Sequence, residues 1–135
     1  MAGEAIREEI QEIVEVYRQK VLSQRTREVR LYGRKCAPRL LYTFLGIELQ
    51  MGSKRITCPD LTTARYLKVF GELGLKQVRI PYDPTVTADL LPELESSLDR
   101  IKQSILLEAP DEKALRRSQS RIFQRIRRQL EQQTV

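Results

Sequence analysis

From residue 4 to about residue 32, apolar side chains recur at helical spacing. Ile6, Ile10, Ile13, Val14, Tyr17 and Val21 share about a third of the helix circumference, and Glu4, Glu8, Glu12 and Glu15 stand opposite. No proline or glycine interrupts the run until Gly33, and acidic residues crowd its first half while basic ones crowd its second, as the helix dipole favours. The pattern predicts one long helix over 4–32. Pro38 then suits the first turn of a short helix through the segment RLLYTFL. After Gly46 the period drops to two: Ile47, Leu49 and Met51 alternate with Glu48 and Gln50, which predicts a strand. Gly52 and Ser53 suit a hairpin turn, and 54–58 returns as a second strand.

Asp60 is placed to cap a helix whose buried face is Leu61, Ala64, Leu67, Phe70 and Leu73, with Gly71 a weak point inside it. Gly74 can end that helix in a left-handed conformation, Leu75 folding back onto it, and 77–82 reads as a third strand. Strand, helix and strand in so short a span predict a parallel βα crossover. Beyond Pro84 a turn or short helix covers 85–91, and Pro92 suits the first turn of another helix. Leu91, Leu94, Leu98, Ile101 and Ile105 step by three and four, the spacing of a coiled-coil seam. Ala109-Pro110 ends that helix. A last one follows from 111 to 132, with Leu115, Ile122, Phe123, Ile126 and Leu130 on one stripe.

The fold class expected is therefore α+β and mostly helical. A small three-strand sheet, made of a hairpin plus one parallel βα crossover, packs with four to five helices. The 135 residues are read as a single domain over 1–135, with a long N-terminal helix 4–32, a sheet and helix core 38–83 and a C-terminal helical pair 85–132. The seam at 91–105 and the long first helix leave apolar edges that predict a homo-oligomer or a subunit of an assembly.

Chemistry is narrowed most by what is missing. With no histidine in the chain, no Ser–His or Cys–His nucleophile, no imidazole base and none of the usual zinc sets can be built. A non-enzymatic module with no cofactor is the expectation. Two cysteines, Cys36 and Cys58, stand far apart and suit a reduced, cytoplasmic setting. No apolar run is long enough to cross a bilayer, and the acidic, amphipathic N-terminus is not patterned as a secretory signal. Within RKCAPR, three positive neighbours would lower the Cys36 pKa if the thiol were exposed. Asp60 and Asp83 are weak metal candidates. On a parallel sheet both would leave the carboxyl edge, beside Thr62 and Thr63, where they could hold magnesium in a small metal-dependent enzyme. Helix capping for Asp60 and a turn for Asp83 account for them adequately and are the stronger reading.

Charge changes the picture further, because the net +6 is segregated. Residues 18–39 hold eight bases, among them Arg30, Arg34 and Lys35, against Glu28 alone. The last helix carries Lys113, Arg116, Arg117, Arg121, Arg125, Arg127 and Arg128 with no acid between them. Such a helix suits a phosphate backbone, and its arginine preference favours bidentate contact with phosphate or carboxylate. DNA or RNA is the leading partner, with an acidic protein surface or an anionic membrane surface as alternatives. Neutralisation by the chain's own glutamates at 4–15 or 93–108 would remove the case for any of them. Pro81 and Pro84 forbid a recognition helix after Gly74, so no helix-turn-helix is expected, and binding should depend on phosphate with low sequence specificity. Tyr32, between Arg30 and Arg34, is a candidate for base stacking or for the core.

Overall fold

Ile6, Ile10, Ile13, Val14, Tyr17 and Val21 are all buried, and the helix that carries them packs against a second long helix rather than against solvent. The computed structural model describes residues 2–134. Helix α1 (Ala2–Val16) runs into a π turn over Tyr17–Val21 and stops, so the helix expected over 4–32 is about two-thirds of that length. Strand β1 (Thr26–Arg30) lies in the remainder, between a turn at 22–25 and coil at 31–32. The amphipathic face ends at Val21, and Thr26 to Arg30 finds an antiparallel partner in β5 (Gln77–Pro81), with Val29 opposite Val78. Pairing with a buried strand outweighs the weak helical preference of this stretch.

The segment that reads as a short helix after Pro38 is instead β2 (Arg39–Thr43), which meets β3 (Gly46–Met51), itself paired with β4 (Lys54–Cys58). Leu40, Leu49 and Ile56 stand side by side across the three strands, a lateral contact that no window within 38–45 reveals. Thr43 closes the tight β2–β3 turn: its Oγ1 accepts from the Leu45 N–H at 3.2 Å and donates to the Gly46 carbonyl at 3.1 Å. The 46–51 and 54–58 hairpin forms as the alternation predicts.

Helix α2 (Leu61–Leu73) also forms as expected. Asp60 caps it by accepting from the Thr63 N–H at 2.7 Å, and Gly74 ends it at φ 86°. The crossover does not. β4 belongs to the β2–β4 meander and β5 pairs antiparallel with β1, so the strands flanking α2 lie in separate sheets of three and two strands. Gly71 is less a defect than a close approach, since a Cβ there would run into Met51 Sδ of β3.

Pro84 opens α3 (Pro84–Glu108), one continuous helix although Pro92 predicts a break. Pro92 costs its turn about 3 kcal/mol in lost bonding and clash. Buried side chains on both sides of it, Leu90, Leu91, Leu94 and Leu98, outweigh that loss, and Pro92 itself is exposed. The 91–105 seam is filled from within the chain, because α1 packs antiparallel along α3 and α2 packs parallel to it. The seam therefore gives no reason to expect a second copy. Helix α4 (Glu112–Gln132) lays Phe123, Ile126 and Leu130 onto the same core, with Asp111 capping it through the Ala114 N–H at 2.8 Å. Asp60→Ala and Asp111→Ala should each lower unfolding free energy by about 1 kcal/mol in urea titrations, and a loss below a few tenths would show the caps to be idle.

Candidate anion-binding surface

The apolar stripe of α4 fixes where its charges go. Taking Arg117 as origin at 100° per residue, Lys113, Arg117, Arg121, Arg125 and Arg128 fall within an arc of about 120°, and Phe123, Ile126 and Leu130 lie on the far side. All five cations are exposed. Among the described residues none of them has an acidic partner within 4.0 Å.

Several of the acids that could have neutralised them are engaged elsewhere. Arg100 of α3 holds Glu9 at 2.7 Å and Glu12 at 3.5 Å, and Lys20 holds Glu93 at 2.9 Å. Glu95 pairs with Arg65, and Glu72 accepts from Lys102 at 2.8 Å. These pairs tie α1 to α3 and α2 to α3, which leaves α4 with one ion pair among the described residues, Arg116 to Glu112 at 2.8 Å on its own exposed side. A surface pair contributes only ~0–1 kcal/mol, so the bridges mainly set which helix faces which.

Arg127 plays a different part from its neighbours. It is half-buried, and its Nη1 donates to the Leu73 carbonyl at 2.7 Å, closing the end of α2. Lys35 is exposed overall, yet its Nζ reaches under α4 to donate to Ser120 Oγ at 3.2 Å, 5.8 Å from the Phe123 ring centre. Partial burial there, then the charges of Arg127 and Arg116, hold its pKa below the ordinary lysine range. Arg34 is exposed in the same loop, and Arg30 is exposed at the end of β1 opposite Gln77. Arg34, Lys35 and Arg127 meet Lys76, Ser120, Gly33, Gly74 and Glu131 around a cleft of about 320 Å³. Sequence pattern alone does not single out Lys76 or Ser120. A basic residue soon after the Gly74 helix terminator is the one signal it offers.

No family model, curated protein or solved structure matches this chain.

Three sequence candidates have local structural roles. Asp60 caps α2 and Asp83 caps α3 by accepting from the Thr85 N–H at 2.9 Å, and the parallel edge that would have joined them does not form. Among the described residues no group of three or more acidic or cysteine side chains converges. Tyr32 is half-buried over the β3–β4 turn, its ring so close to Gly52 that a Cβ there would collide with it. Its ring packs against that turn.

Cys36 does not meet the condition of exposure on which a lowered pKa depended. Burial first, then Glu72, raise its thiol pKa, and the Sγ–H donates to the Gly71 carbonyl at 3.5 Å instead of facing its basic neighbours. At pH 7 iodoacetamide should label Cys36 more slowly in the native chain than in urea, as read by mass spectrometry of its peptide. A native rate equal to or above the unfolded one would contradict this burial.

Beyond the basic face, the β2–β3 turn bears apolar side chains in the open: Phe44 is 106% exposed, Leu45 86% and Tyr42 74%. Among the described residues no helix is long and apolar enough to cross a membrane.

Proposed function

We propose that this chain is a non-enzymatic, cytoplasmic accessory module that binds DNA or RNA along the outer face of α4. The observation that carries the proposal is the set of five exposed, acid-free cations, Lys113, Arg117, Arg121, Arg125 and Arg128. A protein surface gains little in stability from unpaired like charges four residues apart on a helix, so their presence suits a partner of opposite charge. From Lys113 to Arg128 the helix rises about 22 Å, and double-stranded nucleic acid presents one phosphate charge per ~1.7 Å of its axis. A row of guanidinium groups at steps of about 6 Å can therefore meet several phosphates at once and displace their counterions. The segment after α2 is the strand β5, which supplies no second helix for the major groove. Contacts of this kind position a duplex or single strand without reading it.

Anisotropy titrations with labelled random-sequence DNA and RNA, at salt concentrations from about 50 to about 300 mM, test the proposal. The logarithm of the association constant should fall linearly with that of the salt concentration. Absence of binding at the lowest salt, or binding indifferent to salt, would overturn it.

A second reading has α4 dock on an acidic protein, and one observation favours it. Phe44, Leu45 and Tyr42 project apolar surface of the kind enriched in protein interfaces. Under that reading Phe44→Ser would weaken capture of the partner, whereas nucleic-acid affinity would stay unchanged.

A further inference from the structure

Four cations surround the cleft between the 33–35 loop, the 74–76 turn and α4: Arg34, Lys35, Lys76 and Arg127. Glu131 is the one acidic side chain on its wall, and no ion pair within 4.0 Å involves any of the four among the described residues. Clustered surface cations ordinarily swing apart into solvent. Here two are pinned, Lys35 by Ser120 at 3.2 Å and Arg127 by the Leu73 carbonyl at 2.7 Å. The second bond also places a guanidinium over the negative end of α2, so the helix dipole opposes an incoming anion less.

The wall between these cations is bare backbone. Gly33 and Gly74 adopt φ of 82° and 86°, and a Cβ on Gly74 would stand 2.9 Å from both Arg127 Nη1 and the Lys35 backbone nitrogen. Left-handed glycines therefore keep the 33–35 loop, the end of α2 and Arg127 in close register. The space is about 320 Å³, roughly ten times the share of one liquid water. An anion occupying it would offset both the partial burial and, after it, the neighbouring charge of Arg127 that together hold the Lys35 pKa down.

We propose that this cleft is a binding site for a phosphate group. A carboxylate offers two oxygens, but guanidinium, two ammonium groups and the Ser120 hydroxyl present donors for the three or four of a phosphate. A small phosphate ester and a polynucleotide are two sources of that same chemistry. The site stands apart from the outward row of α4 and does not require a polynucleotide there.

Calorimetry of the full chain with inorganic pyrophosphate tests the proposal, with circular dichroism and melting on each variant. One pyrophosphate should bind per chain, and Lys35→Gln and Lys76→Gln should each weaken it about tenfold with melting unchanged. The pair Arg121→Gln and Arg125→Gln, on the outer face, should leave pyrophosphate affinity within about twofold while weakening DNA. Displacement of pyrophosphate by an oligonucleotide would assign the site to a nucleic-acid phosphate, and persistence beside it would assign a small ester, each with the cleft occupied as proposed. No saturable binding at millimolar pyrophosphate, or equal weakening by the outer-face pair, would overturn the site whether or not the chain binds DNA.

Discussion

Replacing Arg117, Arg121, Arg125 and Arg128 together by glutamine should lower affinity for random-sequence DNA by roughly three orders of magnitude at about 0.1 M salt. The slope of log affinity against log salt should become shallower by about 3.6, since each phosphate left without its arginine removes ~0.9 from it. Folding should be spared. None of the four side chains makes an ion pair among the described residues or contributes to the buried stripe, and glutamine is close to arginine in helix propensity. The matching control is Arg65→Gln with Lys102→Gln, which removes as much charge per site from cations already paired with Glu95 and Glu72. That variant should bind DNA much as the parent does. If both variants lost affinity in proportion to net charge alone, α4 would be no interface and the attraction merely global.

Phe70→Ala should remove about 3–5 kcal/mol of unfolding free energy, seen as a fall in urea midpoint. Phe70 is 0% exposed, and its ring centre lies 4.9 Å from that of Tyr66 and 5.6 Å from that of Tyr17. The cavity would open where α1, α2 and the β1–β5 sheet meet, because the two tyrosines also hold β5: Tyr66 donates to the Arg79 carbonyl at 2.6 Å and Tyr17 accepts from the Arg79 N–H at 3.0 Å. Burial lifts both phenol pKa values, so the hydroxyls stay protonated. A loss below about 1 kcal/mol would mean that this aromatic trio is not the centre of the core.

Those same residues mark where sequence patterning succeeds and where it stops. Helix α2 is legible to its last residue, because Asp60, the apolar spacing and Gly74 act within one or two turns of each other. Helix α4 and the clustering of its cations are legible for the same reason, as are the β3–β4 hairpin and its turn, whereas the lack of acidic partners for those cations is not. The strand identity of β1 and β2 is not. Thr26–Arg30 alternates only weakly, and its partner lies some fifty residues on in β5. β2 holds successive leucines that read equally as helix until Leu49 and Ile56 are set beside Leu40. The phosphate cleft joins residues from 33 to 131, so no window could assemble it.

By itself, the order of residues determined helices α2 and α4, the one clear hairpin and the lopsided charge, because propensity, capping and periodicity act over a few bonds. Tertiary structure alone decided that β5 would lie against β1, that the leucine seam would be covered by α1, and that the glutamates would be taken by Arg100, Lys20, Arg65 and Lys102. Each is a choice among partners remote in sequence, settled by which combination buries the most apolar surface and leaves the fewest polar groups unpaired.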